Sequence, residues 1–356
     1  MMITRHWFTL FLSVINLSAS QSEPICKVYK TNRVDCSGRE LNNLPQNIPS
    51  YTTDLDLYNN NIASLPPNGF VRFKQLHSLV LSSNRITSVD STSLKGLKNL
   101  QYLSLSGNKI VLTLDAFKDL SKLKVLSLSS NSSIKIPNDL FSPLKNLKNL
   151  SLSDNHFLIL SSISFHKLGS LQTLDLSSTG ISILPDGIFE SLANLKELAL
   201  KQNDMVCFPN NALQVLTNIE NIYFDDNKMN QPSCTDIILK NFQKLKMLSL
   251  SSSFTQDAII PNFIFADKKP HETDFEGTKD LLSQQGTFDS ANGEPIFTIS
   301  LYGNNINADS LERLLYDFKY SKIRKLSWYS GRGLLSHNDR LNIERFERHK
   351  IENSST

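Results

Sequence analysis

The chain has 356 residues and a formal net charge of +3. That charge is too small for this length to support nucleic acid, a membrane surface or an acidic partner by electrostatics alone. Thirteen glycines and thirteen prolines exclude collagen-like and linker-dominated classes, and two domains would be the ordinary expectation unless the chain grows by adding repeated turns.

Residues 1–20 read as a secretory signal peptide. Arg5 and His6 precede an apolar stretch from Trp7 to Leu17, and Ser18 and Ser20 supply small residues for cleavage after Ser20. The apolar stretch is too short to span a bilayer comfortably, and no later run is long enough to do so. The expected destination is the extracellular space, the outer face of a membrane or an endosomal lumen. On that route disulfides are chemically permitted. The four cysteines are Cys26, Cys36, Cys207 and Cys234, which allow three pairings. Cys26 and Cys36 are close in sequence and are expected to pair. Cys207 and Cys234 fall in adjacent repeats that stacking would bring together, so they form the second expected pair. No Cys-x-x-Cys or His-x-x-x-His spacing supports a metal site.

Residues 21–51 are expected to cap a stacked array, since its open end needs a polar cover. Residues 52–253 carry a repeated unit: leucine, two residues, leucine, one residue, leucine, two residues, asparagine. Clear copies are Leu100-Leu103-Leu105-Asn108 and Leu147-Leu150-Leu152-Asn155. Starts fall at Thr52, Leu76, Leu100, Leu123, Leu147, Leu171, Leu195, Ile219 and Leu245, steps of 23 to 26 residues. The alternation inside Leu103-Ser104-Leu105 has the period of a strand. One strand per turn implies a parallel sheet with long return connections.

The asparagines Asn60, Asn84, Asn108, Asn131, Asn155, Asn203, Asn227 and Asn304 are expected to satisfy buried backbone groups where the chain turns after each strand. Thr179 and Ser253 replace asparagine in two repeats, where this bonding should be weaker. Phe70, Leu94, Phe117, Phe141, Phe165, Phe189 and Leu213 form a second stripe, expected to stack on the convex side. Pro66, Pro137, Pro185 and Pro209 mark where the strand side ends.

Beyond Ser253 the pattern is disturbed. Residues 254–295 lack a leucine period and read as an irregular insertion or a degenerate repeat. From Leu245 to Ile296 is 51 residues, about two turns, with one strand pattern visible. Repeats resume over 296–335, and 336–356 is a polar tail. No cysteine-rich closing cap is visible, so the sequence is expected to be a truncated product, a fragment or an incomplete gene model.

A period near 24 residues with this consensus is the signature of a leucine-rich repeat solenoid. The expected fold is an α/β repeat solenoid, a right-handed leucine-rich repeat horseshoe with a concave parallel sheet and a mostly irregular convex side. The segment from Cys26 through Cys36-Ser37-Gly38-Arg39 to Leu44-Pro45 and Ile48-Pro49 resembles the N-terminal cap of Toll-like receptor ectodomains and their relatives. That resemblance implies a horseshoe ectodomain recognising microbial or endogenous macromolecular ligands, or another leucine-rich repeat receptor, through ligand-bridged dimerisation. A structural or adhesive extracellular matrix protein of the same repeat class is the alternative.

No Gly-x-Ser-x-Gly elbow, His-Glu-x-x-His or phosphate-binding Gly-x-x-x-x-Gly-Lys-Ser/Thr is present, so neither an enzyme nor a cofactor is expected. Binding is expected on outward strand positions of a curved sheet. Candidates are Tyr102, Lys124, Lys148, Lys196, Lys201, Tyr223, Asp225 and Asp226, with Phe263 and Phe265 in the disturbed stretch. Lys124, Lys148 and Lys196 occupy equivalent positions and read either as a basic edge or as ordinary repeat chemistry. Ser104 and its neighbours are expected to face solvent. Asn131, Asn149 and Asn353 match the glycosylation pattern, with Asn149 placed on the strand face.

Overall fold

The structure is a computed structural model that describes residues 26–132, 135–156, 158–229, 236–239, 241–253, 262–264, 297–300 and 323–327. The expected leader 1–20, Cys234, Phe265, Asn304, Asn353 and the tail 336–356 lie outside the described residues.

Among the described residues, thirteen short strands make one sheet. It runs β1 (Lys27–Val28), β2 (Arg33–Asp35), β3 (Asp54–Asp56), β4 (Ser78–Val80), β6 (Tyr102–Ser104), β8 (Val125–Ser127), β9 (Asn149–Ser151), β10 (Thr173–Asp175) and β11 (Glu197–Ala199). It continues through β12 (Asn221–Tyr223), β14 (Met247–Ser249), β16 (Phe297–Ser300) and β17 (Ile323–Ser327). β1 and β2 are antiparallel; from β2 onward the pairs are parallel. The central leucines share one register: Leu55, Leu79, Leu103, Leu126, Leu150, Leu174 and Leu198 are successive partners. Side chains alternate across a strand, so each central leucine is buried while its neighbours point outward. Leu103, Leu174 and Leu198 have no exposed area.

The turn after each strand is closed by asparagine. Asn84 Nδ2 donates to its own Leu81 carbonyl at 3.1 Å and to Leu57 of the preceding turn at 2.9 Å, while its Oδ1 accepts from Ile62 N at 3.1 Å. Asn60, Asn108, Asn131, Asn155, Asn203 and Asn227 repeat the two-carbonyl pattern. The residue before each ladder position is left-handed. Asn59, Ser83, Gly107, Ser130, Asp154, Ser178, Gln202, Asp226 and Ser252 have φ between 52° and 66°. Only one of these is glycine, so the others carry a steric cost of roughly 1 kcal/mol each. The conformation aims the backbone N–H at the next turn, as in Ser83 to Ser106 O at 2.8 Å and Gln202 to Asp225 O at 2.8 Å.

The return side carries the aromatic spine. Phe70, Phe117, Phe141, Phe165 and Phe189 are buried, and Phe117–Phe141 and Phe165–Phe189 stack with ring centroids 6.3 and 6.4 Å apart. A second asparagine ladder runs one residue ahead of the repeat starts. Asn99, Asn146, Asn194 and Asn218 each donate to a carbonyl 25 residues earlier, at 2.8 to 2.9 Å. Regular structure is sparse on this side: helix α1 (Asn210–Leu213), a parallel pair β5 (Ser88–Val89) with β7 (Val111–Leu112), and a parallel pair β13 (Asp236–Ile238) with β15 (Asn262–Ile264).

The N-terminal end is held by the expected Cys26–Cys36 disulfide, with Cα atoms 4.4 Å apart. Arg72 ties the cap to the array by donating to the Gln46 carbonyl at 2.6 Å and the Pro45 carbonyl at 3.1 Å while lying over the Phe73 ring. Cys207 is also disulfide-bonded.

β16 pairs directly with β14, Leu248 opposite Ile299. The 51-residue step is therefore one place in the main sheet. β15, which falls between β14 and β16 in sequence, pairs with β13 off the main sheet.

Candidate ligand-binding face

Strand positions on either side of the buried leucines form rows across the concave sheet. The middle of that face is a chain of hydroxyls. Ser82 and Ser104 lie 2.6 Å apart, Ser106 and Ser127 2.6 Å, Ser129 and Ser151 2.7 Å, and Ser151 reaches Asp175 Oδ2 at 3.2 Å. Ser104–Ser106, Ser127–Ser129 and Ser151–Ser153 contacts, at 3.1 to 3.4 Å, close the zigzag. The spacing of adjacent strands lets serines on neighbouring turns meet, and each hydroxyl is both donor and acceptor. Ser104 is buried at 5% exposure, which corrects its expected solvent-facing position: the flanking serines cover it.

Charge returns past β10. Ala199, at the end of β11, leaves a low floor between larger neighbours. Asp175 and Tyr223 are its partners on the adjacent strands, and Glu197 and Lys201 flank it along the chain. These side chains line one groove of about 570 Å³ that extends back to Asn149 and Val125. Lys201 Nζ sits over the Tyr223 ring at 4.5 Å from its centroid and 3.4 Å from Asp225 Oδ2. Asp225 Oδ1 accepts from Ser251 N at 2.9 Å and from the Ser249 hydroxyl. Three expected site residues thus form one cluster. The aromatic ring and the ammonium attract through the ring quadrupole, and the second-side carboxylate fixes the lysine rotamer. Such a preset aromatic surface with little rotamer freedom left to lose is the kind of feature that anchors a partner.

At the sheet margin, Glu220 bridges Lys246 at 2.7 Å and Lys196 at 3.1 Å. The Lys246 hydrogen bond, with the Lys196 hydrogen bond second, holds the Glu220 carboxyl below the usual carboxylate range. The basic edge is therefore not continuous. Backbone hydrogen bonds order the row as Gln101, Lys124, Lys148, Gln172, Lys196, Glu220, Lys246, so Gln172 separates Lys148 from Lys196 and Glu220 neutralises the latter. Lys124 and Lys148 are adjacent, exposed and form no ion pair among the described residues.

The other candidates scatter. Tyr102 stands on β6, 39% exposed, several turns from the cluster. Asp226 is exposed in the left-handed turn position and not on a strand, because the residue ahead of Asn227 must turn the chain. Phe263 lies on β15, opposite Ile237, outside the main sheet. Asn131 is 2% exposed, and its Nδ2 donates to Leu128 O at 2.9 Å and Leu105 O at 3.1 Å. That is the geometry of a ladder residue, and it places the nitrogen a sugar would occupy inside the turn. Glu220 and the hydroxyl chain were missed as site features. The serine alternation is visible in the sequence, but its cross-turn contacts depend on strand spacing.

A family model described as leucine rich repeat matches residues 50–110, 111–157, 134–181 and 169–229, just over half the chain. Amphoterin-induced protein 1 of Homo sapiens is 42% identical over 62 residues, covering 17% of this chain and 13% of that protein. Leucine-rich repeat-containing G-protein coupled receptor 5A of Xenopus laevis is 48% identical over 52 residues, covering 15% of this chain and 6% of that protein. The chain thus spans only a small part of these curated relatives. Among solved structures, human trophoblast glycoprotein, also titled Wnt-activated inhibitory factor 1, is similar at a TM-score of 0.52 and 27% identity, over 58% of this chain and 82% of that one. An internalin of Listeria monocytogenes gives a TM-score of 0.55 at 18% identity, over 85% of this chain and 83% of its own, a likeness of fold alone.

Proposed function

The chain belongs to the leucine-rich repeat family, and from that premise we propose that it is a ligand-binding or adhesion ectodomain whose concave groove receives a macromolecular partner. The observation that carries this reading is the Lys201–Tyr223–Asp225 cluster beside the low floor at Ala199. An aromatic anchor with its neighbours already oriented loses little conformational entropy on binding. A secretory destination, outside the cell or on its outer face, agrees with the Cys26–Cys36 disulfide, since such bonds persist in oxidising compartments. Within that frame the finer role is innate immune recognition of a microbial or endogenous ligand, with two horseshoes joined across it. The resemblance of the cap to Toll-like receptor ectodomains supports that role.

The test is capture of the secreted chain on surfaces bearing a bacterial lipopeptide, lipopolysaccharide or fibrillar collagen, with Tyr223→Ala alongside. Binding to a bacterial probe, weakened about ten-fold or more by the substitution (about 1.4 kcal/mol or more), supports the reading. Full affinity in the variant removes the groove as the site. Binding to collagen alone replaces immune recognition with adhesion.

A further inference from the structure

The acceptor asparagines of two sequons, Asn131 and Asn149, lie within the described residues, and the structure treats them oppositely. Asn131 closes a turn with its side-chain nitrogen. Asn149 opens β9, is exposed and faces the concave groove. Its side-chain amide enters neither the hydroxyl chain nor any other hydrogen bond among the described residues. Its strand partners are Val125 and Thr173, neither long enough to overhang it. We infer that Asn149 carries an N-linked glycan and Asn131 does not, and that this glycan covers the serine-rich part of the concave face and leaves the groove beyond β10 open to a partner.

The chemistry is transfer of an oligosaccharide from a lipid pyrophosphate donor. The Asn149 amide nitrogen attacks C1 of the reducing sugar, a C1–N bond forms and the C1–O bond to pyrophosphate breaks. The amide loses one proton to a base, and the lipid pyrophosphate leaves. Folding then sorts the products. A sugar on Asn149 projects into solvent and leaves the Leu150 register untouched. A sugar on Asn131 replaces a proton needed by the Leu105 and Leu128 carbonyls and fills buried space, so a chain modified there cannot close its turn. The hydroxyls beneath the glycan already satisfy one another, so covering them leaves few polar groups wanting a partner. The edge lysines Lys124 and Lys148 precede β8 and β9 and lie within reach of the first sugars, whereas Lys201 and Lys246 belong to turns past β10.

This inference rests on the secretory reading, so the experiment separates the two. The full chain is expressed in mammalian cells with its own leader and, in parallel, with a heterologous one. Appearance in the medium with its own leader tests the route; failure of that arm alone overturns the route and leaves the site to be read from the other. Secreted protein with an intact Cys26–Cys36 bond is treated with peptide N-glycosidase in heavy-oxygen water and mapped by mass spectrometry. The expected result is conversion of Asn149 to labelled aspartate, no conversion at Asn131, and loss of one glycan with secretion retained in Asn149→Gln. Acetylation of Lys124 and Lys148 should be several-fold slower in wild type than in Asn149→Gln, with Lys201 and Lys246 unchanged. An unmodified Asn149, or a modified Asn131 in the secreted protein, overturns the assignment. Equal acetylation of Lys124 and Lys148 in both proteins overturns the covering of the face.

Discussion

Asn203 takes two backbone N–H groups on one oxygen where its neighbour in the ladder, Thr179, has no side-chain amide. Its Oδ1 accepts from Thr179 N at 3.1 Å and Ile181 N at 3.1 Å, while its Nδ2 still serves the Leu176 and Leu200 carbonyls. Thr179 spends its hydroxyl on Leu176 O at 2.8 Å. The Leu152 carbonyl is left with Asn155 as its side-chain donor among the described residues.

This asymmetry predicts opposite outcomes at the two positions. Asn203→Ala should destabilise by at least about 3 kcal/mol, since several buried backbone groups lose partners at about 1–3 kcal/mol each. Thr179→Asn should stabilise by about 1 kcal/mol by supplying the missing donor to Leu152. Urea unfolding of both variants checks the pair; equal and small effects would contradict the ladder argument.

The aromatic spine predicts a cavity effect. Phe165 is fully buried and stacks on Phe189. Phe165→Ala should cost about 3–5 kcal/mol, and Phe165→Leu about 1–1.5 kcal/mol by keeping most of the volume. Coupling in a solenoid is between neighbours, so hydrogen exchange should accelerate most around β9 to β11 and least at β3 and β4.

Acid should act through Glu220. Its depressed carboxyl contributes stability that is present above the ordinary glutamate value, about 4.3, and is lost as pH falls through the lower folded value. Glu220→Gln should therefore show a flatter loss of stability than wild type below about pH 5, by acid titration of thermal unfolding. Raising salt should shrink the difference, because the pair to Lys246 and Lys196 is only partly shielded from solvent.

Reduction should act at the cap. The Cys26–Cys36 bond closes a short loop of sequence separation 10 and is expected to contribute about 2–3 kcal/mol by restricting the unfolded chain. Cys36→Ala should lower the unfolding midpoint and raise exchange first at β2 and β3, with β11 to β14 unaffected.

Much of this was legible from the leucines. Leu100, Leu103 and Leu105 place a strand to within a residue, and the asparagine three positions on identifies the turn, because both are enforced by burial. The second asparagine ladder is also written in the sequence, as Asn99, Asn194 and Asn218 directly before a repeat start, but a lone asparagine in a polar stretch does not declare its partner. What could not be read depends on distance across turns. Lys196 meets Glu220 and not Lys148, Lys201 lies over Tyr223, and the serines pair only because neighbouring strands bring them within hydroxyl reach. The left-handed residues were hidden for a different reason. Serine, glutamine and aspartate have no strong preference for that conformation, and it is imposed by the backbone bond to the next turn.

The direct pairing of β14 with β16 separates two kinds of length. The sheet advances by one place whether the step takes 26 residues or 51. The register of the sheet is therefore set by pairing between strands and not by the length of chain that joins them.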